Sequence, residues 1–214
     1  MTHRFTVKDY HRLAEADIFD PEDRVELLDG EVIDVGSAPT IFRFTVDDFH
    51  RMADADIFDP EARVELLDGE VVELTPIGTR HSGCVNRLNA FFTAGLGARV
   101  VVAVQNPMQI GDFSQPQPDL VVLRARPDFY SEHHPLPPDV LLAVEVADTS
   151  LRYDLLRKAP LYVAGGIQEV WVADLADRIV HVFREGMYAE RRAGDTLAPA
   201  AFPDLTLEVA TILG

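Results

Sequence analysis

Cysteine, tryptophan and basic residues are scarce in this chain of 214 residues. It has one Cys and one Trp, and 19 Lys and Arg stand against 36 Asp and Glu, giving a formal net charge of −17. The single Cys84 excludes an internal disulfide, and together with the lack of a signal-like N-terminus it predicts a cytoplasmic protein. No apolar run approaches the roughly 18 residues of a membrane-spanning helix.

The acidic charge limits the partners that the chain can have. A surface that binds duplex DNA normally carries a basic patch that displaces counterions from phosphates, so the charge argues against tight, non-specific DNA binding. The sequence also has no glycine-rich phosphate loop, no Ser-His-Asp set and no Cys cluster. A hydrophobic fraction of 47% with 26% charged residues is typical of a globular protein. The length predicts one domain with an addition rather than two ordinary domains.

That addition is an internal repeat. Arg4–Val35 and Arg43–Leu74 align without a gap and differ at only eight positions, most of them conservative, such as Tyr10/Phe49 and Leu13/Met52. Two copies are fewer than a solenoid array needs, so the pattern indicates a tandem duplication of one segment. We expect an extra segment at 1–40 and a main domain at 41–214, with Gly36-Ser37-Ala38-Pro39 as the linker.

Each copy predicts a helix followed by a hairpin. Thr6 or Thr45 can cap a helix of about ten residues, with Asp9 or Asp48 completing the capping box. The sequence Arg-Val-Glu-Leu-Leu-Asp-Gly-Glu-Val then predicts two strands joined by a tight Asp-Gly turn. One copy should dock beside the main domain. The first copy is then left with an apolar face of Phe5, Leu13, Ile18, Val25 and Leu27, from which we predict a homodimer with this copy at the interface.

The rest of the chain predicts a mixed α/β fold. A helix is expected at 79–96, a strand at 100–104 continued by 108–110, and further strands at 118–123 and 140–146. A helix near 152–165, interrupted at Pro160, then leads to a strand at 169–174 and a hairpin at 179–191. Periodicity alone indicates no more than this fold class.

Two of these strands carry carboxylates. Asp119 follows Pro118 at a strand start, where an Asp is equally typical of a turn residue. Glu145 interrupts the run Val140–Val146, and an unpaired charge in so apolar a strand costs several kcal/mol. Glu145 therefore needs a partner, and a metal ion or a Lys is the usual one. Two strand carboxylates with a nearby Lys can hold Mg²⁺ and activate a water for attack on a phosphate.

These residues resemble the PD-(D/E)XK nuclease superfamily. Within it, Val144-Glu145-Val146-Ala147-Asp148-Thr149-Ser150, then Asp154, Lys158 and Tyr162, then Gly166–Asp174 resemble the Uma2 endonuclease family over about residues 43–214. The resemblance implies a restriction-endonuclease-like core of helix, three strands, helix and strand, with N-terminal helix-hairpin units and a C-terminal β-hairpin. The copy at 43–74 is the one in register with the family, and the copy at 1–36 departs from it.

The resemblance also implies site residues. Asp119, Glu145 and the Val146 carbonyl would bind Mg²⁺, for which Mn²⁺ could substitute, and Lys158 would act on the water or phosphate. The superfamily Lys usually lies two residues after the strand Glu, where this chain has Ala147, so Lys158 is the matching candidate. From spacing alone, Lys158 could instead form a surface ion pair with Asp154.

Two further residues have open interpretations. Glu65 in the second hairpin could be an additional catalytic acid or a solvent-facing strand residue. The same choice arises for its duplicate Glu26, and the two residues cannot both occupy one site. His81 matches a position where the family often has His, but a structural hydrogen bond is the favoured interpretation. We regard the His133-His134 pair as a loop feature, because it lacks the partners of a zinc site.

The sequence therefore supports two functions. The first is a metal-dependent phosphodiesterase, a DNA endonuclease with Asp119, Glu145, Lys158 and Glu65 as catalytic residues. The alternative is a nuclease-fold protein that no longer cuts and serves as a binding or regulatory module. The acidic charge, the displaced Lys and the extra copy favour this alternative.

Overall fold

The computed structural model describes all residues from 1 to 214 and divides into two compact units. The first unit comprises residues 1–75 and 111–116, and the second comprises 76–110 and 117–214. Both copies of the repeat therefore belong to the first unit. The division predicted from the repeat, 1–40 and 41–214, follows the duplication rather than these compact units and stays a prediction.

The first unit has the predicted helix and hairpin in each copy. Its elements are α1 (Val7–Glu15), β1 (Val25–Leu28), β2 (Glu31–Asp34), β3 (Thr40–Ile41), α2 (Val46–Asp54), β4 (Val64–Leu67) and β5 (Glu70–Glu73). Both helices begin with the predicted capping box, in which Thr6 and Asp9, or Thr45 and Asp48, bond reciprocally. The two copies share one apolar core, which includes Phe5 and Leu13 of the first and Phe44 and Met52 of the second.

This shared core changes the expectation for the first copy. Leu13 is fully buried and Phe5 and Ile18 are nearly so, while Val25 and Leu27 are half-buried. The predicted apolar face is therefore covered within its own chain, by the second copy. The exposed face from which the homodimer was predicted is therefore absent from the full chain, and that prediction is left without its physical basis.

The second unit contains a mixed sheet of six strands. Its elements are α3 (Thr79–Leu96), β6 (Val100–Val104), β7 (Leu120–Arg124), β8 (Val140–Ala147), α4 (Leu151–Tyr153), α5 (Ala159–Ala164), β9 (Glu169–Asp174), β10 (Ile179–Arg184), β11 (Met187–Arg192), β12 (Thr196–Leu197), β13 (Leu207–Glu208) and α6 (Val209–Leu213). The strand order is β11-β10-β9-β8-β7-β6. Only the pair β8 and β9 is parallel, because the helical segment between them crosses over the sheet.

Helices cover both faces of this sheet. Residues of α3 and α6 pack with Leu142, Val144 and Val146 on one face, and Ala159 and Tyr162 pack with Ala143 and Ala147 on the other. Side chains alternate along a strand, so Glu145 belongs to the second face, together with Tyr162. The predicted fold class is confirmed.

Several details differ from the sequence-based expectation. Residues 108–110 do not continue β6: apart from an isolated bridge at Ile110 they have no strand structure. The helix expected near 152–165 consists of α4, a π-helical turn at Asp154–Lys158 and α5. Pro160 explains the wide turn, because its ring would clash with the carbonyl four residues earlier in a regular α-helix. The short elements β3, β12, β13 and α6 carry no strong periodic signal and were not predicted.

Three hairpin turns depend on glycine. The Asp29-Gly30, Asp68-Gly69 and Glu185-Gly186 turns have positive φ at both residues, which is the type I′ pattern that matches the strand twist. A Cβ at Gly69 would lie 2.7 Å from Arg43 Cβ, whereas a Cβ at Gly186 would meet nothing within 4 Å. The two turns thus share the backbone conformation and differ in steric space.

We expect Gly69→Ala to destabilise the chain more than Gly186→Ala. The positive φ alone should cost the Gly186 variant about 1–2 kcal/mol. The Gly69 variant carries the same strain and must also displace the Arg43 backbone. Urea unfolding of both variants measures the difference, and equal losses would show that Arg43 moves away without cost.

Candidate active site

The candidate site is centred on Glu145, which lies in β8 of the six-stranded sheet. Glu145 is 3% exposed, and its Oε1 lies 2.9 Å from Lys158 Nζ and 2.5 Å from the Tyr162 hydroxyl, which donates to it. Lys158 is 4% exposed, and its ammonium also lies 3.5 Å from the Gln117 carbonyl oxygen. The partner that the sequence required for Glu145 therefore includes Lys158, from the helical segment after β8.

The helical segment brings both partners to the same carboxylate. Lys158 ends the π-helical turn, and Tyr162 lies four residues later in α5, so the two side chains share one face of the helical segment. Ser150 Oγ donates to Asp154 Oδ2 at 2.5 Å at the start of this segment. Asp154 and Lys158 are both 4% exposed, which excludes the interpretation of Lys158 as a member of a surface ion pair.

Asp119 lies just before β7, next to the same part of β8. Leu120 pairs with Val144 in the antiparallel ladder, so Asp119 is at the level of Glu145. The Val146 amide donates to Asp119 Oδ2 at 2.8 Å, and His81 Nε2 lies 2.9 Å from the same oxygen. Gln105 Nε2 donates to Oδ1 at 3.4 Å. Three side-chain and backbone contacts thus fix the Asp119 carboxylate next to Glu145.

Its surroundings keep Asp119 ionised. Burial raises the pKa of Asp119, but the hydrogen bond and charge of His81, the Val146 amide and the charge of Lys158 outweigh burial and hold the pKa below its usual value. His81 belongs to α3, and the hydrogen bond expected of it is made to Asp119.

The second unit thus gathers Asp119, Glu145, Val146 and Lys158 from three segments of the chain. Tyr162, His81 and Gln105 were not among the predicted site residues. Tyr162 could have been found from its position four residues after Lys158, whereas Gln105 has no sequence signal. The thiol of Cys84 is buried, and burial together with the charge of Asp119 raises its pKa to about 12.

Glu65 lies in β4 of the first unit. Its side chain is fully buried, so the interpretation as a solvent-facing strand residue is wrong. Its duplicate Glu26 in β1 is exposed. A role for Glu65 as a catalytic acid stays a prediction.

Comparison with known proteins identifies the family. The family model Uma2, described as "Putative restriction endonuclease", matches residues 46–210, which include Asp119, Glu145 and Lys158. The chain belongs to the Uma2 family. The matched range excludes the first copy of the repeat, as the sequence predicted, and the family description supports a nuclease role.

A solved structure supports the fold. The Uma2 chain is similar to a "putative nuclease belonging to DUF820" from Anabaena variabilis ATCC 29413, with a TM-score of 0.64 and 14% sequence identity. The match covers 79% of this chain and 97% of that chain. The predicted restriction-endonuclease-like fold is confirmed.

The search of curated proteins found no match to the chain. None of its helices has the length and hydrophobicity of a transmembrane helix.

Proposed function

We propose that the chain is a metal-dependent phosphodiesterase that cleaves DNA as an endonuclease. The observation that carries this proposal is the ion pair of Lys158 with Glu145, both 4% exposed in their side chains, beside the ionised Asp119. A buried ion pair is expensive to build and contributes little net stability, so a site that retains one beside a second carboxylate is a candidate for catalysis.

The residues of the site suit Mg²⁺. No group of three or more His, Cys, Asp or Glu side chains that could hold a metal occurs in the chain. Mg²⁺ does not require one, because it commonly binds one or two carboxylates and keeps several waters. Asp119 and Glu145 would supply carboxylate oxygens. The N–H and C=O of one strand residue point to the same side, so the Val146 carbonyl faces the Asp119 side, like the Val146 amide.

The surrounding residues have defined tasks in this proposal. A bound Mg²⁺ would supply Lewis-acid stabilisation and lower the pKa of water, and Mn²⁺ could replace it. His81 and the Val146 amide orient the Asp119 carboxylate, and Tyr162 orients Glu145. Lys158, held between Glu145 and the Gln117 carbonyl, places its ammonium where it can orient the attacking water or stabilise charge on the phosphorane. The cytoplasmic location predicted from the sequence is part of the same proposal.

The two carboxylates should be required for both metal binding and cleavage. We expect Asp119→Asn and Glu145→Gln to abolish detectable Mg²⁺ binding in calorimetric titration and to abolish cleavage of plasmid and single-stranded DNA. Chelator should have the same effect on the unaltered chain. Unchanged binding in both variants would contradict the metal site. Normal metal binding to the unaltered chain without any cleavage would instead support a binding or regulatory module.

Lys158 should be required for cleavage but not for metal binding. We expect Lys158→Met to lower the cleavage rate by about 10²-fold or more, the usual cost of losing one group that stabilises developing charge. Metal affinity should not fall, because an ammonium repels a dication. The chain has one other lysine, the exposed Lys8, which makes Lys8→Met a matched control with unchanged cleavage. Full activity of Lys158→Met in the cleavage assay would restrict Lys158 to a structural role.

The duplication provides a matched pair for Glu65. If the buried Glu65 is a catalytic acid, Glu65→Gln lowers cleavage, whereas Glu26→Gln at the equivalent exposed position does not. Thermal unfolding of both variants separates a loss of activity from a loss of stability. Equal cleavage rates in two folded variants would exclude Glu65 from catalysis.

A further inference from the structure

The two copies of the repeat contact each other reciprocally. The segment before α1 pairs with the hairpin of the second copy, since His3 N–H donates to the Val71 carbonyl at 2.8 Å. The segment before α2 pairs with the hairpin of the first copy, since Phe42 N–H donates to the Val32 carbonyl at 2.9 Å. In the alignment of the copies, residue 3 corresponds to 42 and residue 71 to 32. Each copy thus gives its leading strand to the other copy's hairpin.

The cross-strand pairs repeat this exchange. Thr2 forms an antiparallel bridge with Val72, and the corresponding residues Ile41 and Ile33 are partners in β3 and β2. The helices also make reciprocal contacts. Arg12 of α1 donates to the Ala55 carbonyl of the second copy, and the corresponding Arg51 donates to the Ala16 and Asp17 carbonyls of the first.

Aromatic contacts locate the symmetry axis. Phe5 and Phe44 are equivalent residues, and their rings lie 5.6 Å apart, as expected for one residue that meets its own counterpart across a twofold axis. On either side of this pair, Phe42 contacts Phe19 at 5.4 Å and His3 contacts Phe58 at 5.6 Å. Residue 58 corresponds to 19, so these are again a reciprocal pair.

Such an arrangement is that of a symmetric dimer with exchanged strands, here built within one chain. We propose that the face of the second copy formed by Phe42, Phe44, Arg51 and β5 is a self-association surface, and that the first copy occupies it in place of a second subunit. The full chain is then a monomer, and this proposal replaces the homodimer predicted from the sequence. Without its own first copy, the chain pairs through this face with a second copy of itself.

Two observations support this choice of occupant. The Uma2 match begins at residue 46, so it includes Arg51 and β5 of this face but not the first copy that covers them. The first copy shows what fits the face, because it has nearly the same sequence as the second. A second subunit can therefore make the same contacts, whereas an unrelated partner would need them by coincidence. This inference does not depend on the proposed nuclease activity.

Engineered disulfides test the proposal in the full chain. The bonds from His3 to Val71 and from Glu73 to Met1 flank the Thr2 and Val72 pair, which makes it a closely spaced, non-hydrogen-bonded pair suited to a disulfide. We expect Thr2→Cys/Val72→Cys to form a disulfide within one chain, with a monomer mass of 23.8 kDa in light scattering. A disulfide between two chains would overturn the proposal. The native Cys84 is fully buried and does not interfere.

A second variant exposes the face. Leu13 is fully buried in the core shared by the copies, so Leu13→Asp should release the first copy, while Val7→Asp at an exposed position of the same helix is the matched control. In the Leu13→Asp chain, Ile41→Cys/Val72→Cys should link two chains on a non-reducing gel and double the mass. In the Val7→Asp chain the same cysteines should stay unlinked, because the first copy still pairs with both positions.

Each of these variants can also give a result that contradicts the proposed self-association surface. A folded Leu13→Asp chain that stays monomeric and unlinked would show that the face does not accept a second copy. If Leu13→Asp unfolds the chain, deletion of residues 1–38 puts the same cysteine pair to the same test, with helical content checked by circular dichroism. Failure of the interchain disulfide there overturns the proposal, whatever the cleavage assays show.

Discussion

The buried ion pair of Glu145 and Lys158 constrains how the crossover segment docks on the sheet of the second unit. A carboxylate in the middle of a six-stranded sheet cannot remain unpaired, and removing one partner of a buried pair costs about 3–5 kcal/mol. The crossover segment must therefore dock so that the Lys158 ammonium and the Tyr162 hydroxyl both reach Oε1. This requirement fixes the π-helical turn and α5 against β8, and with them the parallel strand β9.

The proposed activity requires an acidic chain to bind a phosphodiester. With a net charge of −17, the long-range field repels nucleic acid, so attraction must come from a few local positive charges. Within the site Lys158 is paired with Glu145, so the excess positive charge would have to come from a divalent cation held by the two carboxylates. Screening by salt should favour binding to such a protein, the opposite of what holds for a basic nuclease, where salt displaces the protein from phosphates.

The sequence predicted the parts of the site unevenly, and the reason is physical. Glu145 was identifiable because burial of an acid in an apolar strand is costly whatever the fold. Lys158 was identified through the resemblance to Uma2, because strand and helix propensities do not determine how a crossover segment docks. His81 and Gln105 contact Asp119 from α3 and from the end of β6. Local sequence patterns do not predict contacts between positions so far apart in the chain. Likewise, Pro160 predicted an interruption of the helix but not its π-helical form.

The repeat separates local from tertiary determinants of structure within one molecule. The capping boxes and Asp-Gly turns are the same in both copies, and they produce the same helix and hairpin twice. The identical sequence Val-Glu-Leu-Leu, however, is fully buried in β4 and alternates between half-buried and exposed in β1. One difference between the two hairpins is the segment 111–116: Gln115 pairs with Leu66, and the Phe113 carbonyl accepts from Gly69, whereas β1 has no such neighbour. Local sequence therefore determined that these residues form strands, and the chain around them determined that Glu65 is buried and Glu26 is not.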